Sequence, residues 1–274
     1  MLALDTVLEC LARDPAASFD VAEVALHLAR DEYPRLDVDA YLAEIAALAH
    51  EAKNYARGTF SARVDGLCRY VFHELGFRGN KKDYYDPRNS YFNQVLDRRK
   101  GIPISLAAVM MALGQRVGLH IVGIGLPGHF IVRCSAAKQE ILIDPFHGGR
   151  RLSLTDCGHL VEQATGVPFD ASPESLQPIP LGLMVQRMLN NLKLIYLERE
   201  DWRRTIRVLG RLNQLQPDDI QNRRDLGLCL ARHGEPGKAI DHLNAYLKSV
   251  PEAEDAATVQ QILRAATKDV ARWN

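Results

Sequence analysis

Cysteine is scarce in this 274-residue chain, and its arrangement excludes the common structural roles of thiols. An odd number of cysteines without any Cys-x-x-Cys spacing argues against both a disulfide framework and a structural zinc site. The five are Cys10, Cys68, Cys134, Cys157 and Cys229. We therefore expect reduced thiols, most of them packed in the interior.

The chain also has no excess of positive or negative charge and no long apolar run. Lys plus Arg equals Asp plus Glu at 34 each, so the net charge is zero, which argues against a general binder of nucleic acid or anionic membranes. No stretch of about eighteen apolar residues is present to span a bilayer, and no basic and apolar leader opens the chain. The sequence predicts a cytoplasmic protein with neither nucleic acid nor membrane as a direct partner.

What the chain does contain is a histidine and an aspartate in apolar surroundings, His129 and Asp144. These residue types form the base half of a Cys-His-Asp or Ser-His-Asp relay. Segments 130–134 and 141–144 are mostly β-branched or aromatic, which predicts a hairpin that brings both side chains together. The alternative is a partly buried histidine and an aspartate that begins a turn before Pro145.

A nucleophile for this pair belongs at the start of the strongly helical segment that follows Pro103. Pro103 suits a first helical turn, and Ser105 lies close to that helix N-terminus. Backbone N–H groups there lower the pKa of a thiol or hold an oxyanion. No cysteine lies at this helix start. Cys134 follows His129 by an odd number of residues, so on one regular strand its side chain points to the opposite face from the imidazole.

The order of a nucleophile helix, a His strand and an Asp strand resembles the transglutaminase-like superfamily, whose catalytic Cys opens the helix. On that resemblance Ser105 lies at or near the Cys position, and an ungapped count back from Gly118 places Pro103 there instead. The motifs between residues 84 and 152 resemble the narrower bacterial SirB family. They are the stretch 85–96, Arg-Arg-Lys-Gly-Ile-Pro-Ile-Ser-Leu at 98–106, Pro-Gly-His-Phe at 127–130 and Ile-Asp-Pro-Phe-His-Gly-Gly at 143–149.

The SirB resemblance implies a transglutaminase-like core without the usual catalytic Cys, followed by tetratricopeptide repeats. It therefore implies the fold more firmly than any activity. Asn89, Asn93 and Arg99 are candidate binding residues near the site, and local hydrogen bonds that fix loop turns are an equally open role for each.

Helical periodicity marks both ends of the chain. Apolar residues recur at three- and four-residue spacing before residue 80, and a 34-residue period relates Leu192 to Leu226 and Thr205 to Ala239, as in tetratricopeptide repeats. The sequence predicts an α+β protein with a small antiparallel sheet. Its predicted parts are a transglutaminase-like domain at 1–170, with a helical part to about 80 and a motif-bearing core at about 81–170, a linker at 171–180, and helical repeats with a capping helix at 181–274.

Two classes of function follow. In one, the chain is a non-catalytic regulator or scaffold that binds a protein or peptide through its repeats; in the other, Ser105 attacks an amide or ester carbonyl, His129 takes its proton and Asp144 orients His129. A third hypothesis, a metal held by His129, His147 and Asp144, has suitable ligand types in a spacing that matches no metal motif. No metal or cofactor is therefore predicted.

Overall fold

The structure is a computed structural model that describes residues 4–272. Helices dominate it, and a small antiparallel sheet lies in the middle of the chain, as the sequence predicts. The α-helices are α1 (Leu4–Arg13), α2 (Val21–Ala29), α3 (Val38–Ala52), α4 (Phe60–Cys68), α5 (Phe92–Arg98), α6 (Pro103–Arg116), α7 (Leu154–Thr165), α8 (Leu181–Glu198), α9 (Trp202–Leu215), α10 (Ile220–Arg232), α11 (Pro236–Ser249) and α12 (Ala256–Ala271). The strands are β1 (Arg78–Gly79), β2 (Lys100–Gly101), β3 (His120–Leu126), β4 (His129–Ala136), β5 (Gln139–Asp144) and β6 (Arg150–Leu152).

Strands β3 to β6 form one antiparallel sheet in chain order, and β1 and β2 make a short parallel pair. The predicted hairpin is confirmed, because β4 pairs with β5 in the register Val132 to Ile143 and Cys134 to Ile141. Helix α6 packs against β3 and β4. It is almost entirely buried, as expected of a helix whose apolar residues extend around its surface.

The chain divides into two compact units. The sheet unit comprises residues Ala16–Met188, and the repeat unit combines α1 with the residues from Leu189 onward. The N-terminal boundary differs from the predicted one because α1 buries its apolar stripe of Val7, Leu8 and Leu11 within the repeat unit, where it packs against α9.

The segment 171–180, predicted to be a linker, is an ordered part of the sheet unit. Leu176 is buried in the same apolar cluster as Ile124 and Cys157. The Ile179 N–H also donates to the Gly123 carbonyl at 3.0 Å. These contacts attach the segment to the edge strand β3, which its proline content alone did not indicate.

The repeat unit follows the predicted 34-residue period. Helices α9 and α11 begin at Trp202 and Pro236, and the period-related Thr205 and Ala239 are both fully buried. Residues of this size allow neighbouring helices to approach closely. The predicted capping helix at the end of the repeats is α12.

Candidate functional site

His129 is positioned by a tight turn at the start of β4. Pro127 and Gly128 connect β3 to β4, and Gly128 adopts a left-handed φ of 69°, which glycine tolerates without steric cost. Arg187 secures this turn from α8: its Nη2 donates to the carbonyl oxygens of Leu126 and His129, each at 2.9 Å. The imidazole of His129 therefore projects from a fixed point on the sheet.

Asp144 is positioned by the end of β5 and the turn that follows it. Gly148 and Gly149 both have φ of 76°, and a Cβ on Gly149 would meet the Phe72 ring at 2.3 Å. The chain can therefore turn here only with glycine at position 149. The Gly149 N–H closes the turn on the Asp144 carbonyl at 2.9 Å.

The structure brings His129 and Asp144 together, with Nε2 of His129 3.1 Å from Oδ1 of Asp144. A second histidine joins them, because Nδ1 of His147 lies 2.6 Å from Oδ2 of Asp144. The backbone N–H groups of Phe146 and His147 also donate to Oδ1, at 3.0 and 3.2 Å. Asp144 is 0% exposed and depends on these four donors to remain charged.

Burial alone would raise the pKa of Asp144, but the hydrogen bonds and charges of His129 and His147 outweigh it and lower the pKa. An ionised carboxylate only accepts, so each facing ring nitrogen carries a proton. In the neutral form His129 then has its lone pair on Nδ1, the nitrogen that a relay would use as a base. One half of a catalytic relay is present.

Ser105 does not complete this relay. Its hydroxyl donates to the Asn89 carbonyl at 2.7 Å and accepts from the Ile102 N–H at 3.0 Å. The residue is 2% exposed, in the first turn of α6 as the sequence predicts. Among residues 4–272, no hydrogen bond joins Ser105 to His129. The predicted nucleophile therefore has a structural role at the helix start.

The three candidate binding residues contact other parts of the sheet unit. Asn89 is fully buried, and its amide donates to the carbonyls of Asp83 and Tyr84 at 2.7 and 3.1 Å. Asn93 is buried in α5, and Arg99 donates to Glu44 at 3.2 Å while its guanidinium stacks on Phe77. The contacts of Asn89 are local and hold a loop, whereas Arg99 pairs with a residue on α3 that is 55 positions away in the sequence.

Cys68 and Cys134, the two thiols weighed as nucleophiles, are poorly suited to that role. Burial raises the pKa of Cys68 and of Cys134 to about 12 each. A thiol with such a pKa is almost entirely protonated at neutral pH and is a poor nucleophile. Both cysteines are core residues, as their sequence surroundings indicated.

Two site residues escaped the sequence prediction. Arg187 lies far along the chain from His129 and has no motif around it. His147 was considered only as a metal ligand, although its position three residues after Asp144 is a usable signal. One ligand atom from each of His129, Asp144 and His147 lies within 4.8 Å of the others, so these three residues can hold a metal ion.

Fold and site together define a transglutaminase-like protein with a C-terminal repeat module. The family profile described as "Transglutaminase-like superfamily" matches residues 39–190, and the profile "Tetratricopeptide repeat" matches residues 192–264. No solved structure gives a significant match. Among the described residues, no helix has both the length and the apolar character needed to cross a membrane.

The curated relatives narrow this class. A UPF0162 protein of Xylella fastidiosa (strain 9a5c) is 35% identical over 241 residues, 86% of each chain, and one of Vibrio cholerae serotype O1 is 29% identical over 248 residues, 90% of this chain and 88% of the relative. Human F-box only protein 21 is 33% identical over 138 residues, 47% of this chain and 21% of that protein. The chain belongs to the SirB-like UPF0162 family of transglutaminase-like proteins, which confirms the predicted resemblance.

Proposed function

We propose that this protein is a non-catalytic member of its superfamily that acts through protein–protein contacts of its repeat unit. The observation that carries the proposal is the position of Ser105. The hydroxyl group at the expected nucleophile position is buried and is bonded to the Asn89 carbonyl and the Ile102 N–H. A hydroxyl group held in this way can attack a substrate only after it leaves the Asn89 carbonyl and the Ile102 N–H.

The repeat unit offers a surface suited to a peptide or an extended protein segment. Leu194 on α8 is 61% exposed, the largest exposed fraction of any large apolar residue on a helix among the described residues. Beside it in sequence, Lys193 donates to Asn222 at 3.2 Å and approaches Asp225 at 3.4 Å. Because apolar contacts at the centre of an interface supply much of its binding energy, we propose Leu194 as the apolar contact of this interface.

We therefore expect Leu194→Glu to abolish capture of a specific partner by the full chain in a lysate of the source organism. Val167→Glu is the matched control, because Val167 is 62% exposed but lies in the sheet unit. Ser105→Ala is the second control and should leave the same partner bound. The proposal fails if no protein is captured specifically, or if Leu194→Glu and Val167→Glu release it equally.

A second candidate function, hydrolysis of an amide or ester by Ser105, His129 and Asp144, is favoured by the His129–Asp144 pair itself. This mechanism requires Ser105 to leave Asn89 and turn towards His129. Labelling with a serine-directed phosphonate tests it directly: modification of Ser105 that disappears in His129→Ala would support the hydrolase. Absence of any label, with hydrolysis unchanged by Ser105→Ala, would exclude it. For both functions we place the protein in the cytoplasm.

A further inference from the structure

We propose that His129, Asp144 and His147 form a binding site for one divalent transition-metal ion, with zinc as the best-matched candidate. This inference goes beyond the proposed partner binding and does not depend on it. Two histidines and one carboxylate are a ligand set used by catalytic zinc and by non-haem iron sites, and both leave coordination positions open for water or another ligand.

The spacing of the ligand atoms suits a single ion. Two ligand atoms on one tetrahedral zinc are about 3.4 Å apart, given bonds of about 2.0 to 2.2 Å. Here Nε2 of His129 and Nδ1 of His147 lie 3.1 and 2.6 Å from the two carboxylate oxygens, and all three residues reach within 4.8 Å of one another. The two rings are nearly parallel, at 28°, with centroids 5.8 Å apart. Both N···O separations are shorter than the separation on zinc because a proton now lies between the two atoms, so the rings must turn outward when an ion replaces it.

Backbone groups already support the carboxylate in the way a metal site requires. The N–H groups of Phe146 and His147 hold Oδ1 of Asp144, so Oδ2 can leave His147 and bind a cation while the carboxylate keeps its orientation. Such outer contacts orient ligands and strengthen metal sites.

Accessibility differs among the three ligands in a useful way. Asp144 is fully buried and His129 is 8% exposed, whereas the His147 side chain is 30% exposed. An ion can therefore approach past His147 and lose much of its water on binding. On coordination each neutral imidazole moves its proton to its other ring nitrogen, so Nε2 of His129 and Nδ1 of His147 present lone pairs to the metal.

The decisive variant is His147→Asn in the full-length chain. The Asn amide nitrogen can take the place of Nδ1 and keep the hydrogen bond to Asp144, but it has no lone pair for a metal. Zinc affinity is measured by competition with a chromophoric chelator, in a Cys10→Ser background because Cys10 is an exposed thiol. We expect one zinc per wild-type chain and at least about tenfold weaker binding by His147→Asn and by Asp144→Asn.

His50→Ala is the matched control, because His50 is exposed on α3, outside the proposed site. It should bind zinc like the parent chain. Thermal melts of His147→Asn and of the parent without metal verify that the variant is folded, and His147→Gln gives a second test if it is not. Affinity should also fall at lower pH, where protons compete for the imidazoles. No stoichiometric zinc in the parent, or equal affinity in the parent and in folded His147→Asn, overturns the proposal.

Discussion

Two buried polar clusters of the sheet unit use their side chains in different ways. At the end of the sheet, His129 and His147 meet the carboxylate of Asp144, so the chemical groups face one another. At the start of α6, the Ser105 hydroxyl meets backbone groups of Ile102 and Asn89. The first cluster keeps the side chains of a catalytic-type pair facing one another, whereas the second stabilises a helix start and a loop. A buried His-Asp pair is therefore present in a fold where the serine at the expected nucleophile position bonds to backbone groups.

The largest loss of stability is expected when Asp144 is substituted. Asp144→Ala removes the acceptor of four hydrogen bonds and leaves buried donors without partners, so we expect a loss of about 3–5 kcal/mol in the free energy of unfolding. Denaturant unfolding measures it. Asp65→Ala is the control: Asp65 pairs with Arg151 but is 58% exposed, and its loss should cost under about 1 kcal/mol. Equal losses would show that the sheet cluster is not a coupled network.

The second-largest loss of stability is expected at Asn89, because its side chain holds the loop that contacts Ser105. Asn89→Ala deletes hydrogen bonds to Asp83, Tyr84 and Asn80, and at about 1 kcal/mol each we expect about 3 kcal/mol of destabilisation. Asn54→Ala is the matched control, since Asn54 is exposed and its side chain accepts a hydrogen bond from Arg57 in the next turn. A change below that of the control would contradict a structural role for Asn89.

Ser105→Ala should have a smaller effect, about 1–3 kcal/mol, because one hydroxyl is lost and the Asn89 carbonyl and Ile102 N–H remain buried without it. Ser249→Ala, at an exposed helical serine, is the control in the same unfolding assay. If Ser105 had a purely catalytic role, its removal would leave the free energy of unfolding unchanged or increased, and that result would contradict the structural role.

The smallest effect is confined to acid. Because the pKa of Asp144 is lowered in the folded state, the stability it contributes is complete above the unfolded value of about 3.9 and is lost as pH falls through the folded value. The stability difference between wild type and Asp144→Asn should therefore be larger at pH 6 than at pH 2. A stability difference between wild type and Asp144→Asn that grows in acid would contradict the lowered pKa of Asp144.

The sequence supported prediction of the local elements and of one half of the site. The β-branched segments around residues 130 and 142 gave the hairpin, Pro103 marked the first turn of α6, and the 34-residue period gave the repeats. Each of these signals arises from residues near one another in the chain or from a regular repeat. The contact between His129 and Asp144 followed from the hairpin because β4 and β5 are neighbours in sequence and in space.

The features that were not predicted depend on contacts between residues that lie far apart in the sequence. Arg187 secures the His129 turn from a helix 58 residues away, and α1 packs with α9 across most of the chain. The direction of the Ser105 side chain also could not be predicted from the sequence, because a helix start offers the same backbone groups to a nucleophile and to a capping hydroxyl. Only the position of the Asn89 carbonyl, at 2.7 Å, decides between them.

Periodicity and residue type act locally, so the helices, the hairpin, the repeat period and the lack of a cysteine at the start of α6 could all be predicted from the amino-acid sequence. The folded structure was needed to show that the Ser105 hydroxyl bonds to backbone groups and that His147 and His129 both contact the carboxylate of Asp144. It also decided that the proline-containing segment 171–180 attaches to β3. Hydrogen bonds and ligand geometry depend on tenths of an ångström between atoms, and the folded chain sets those distances.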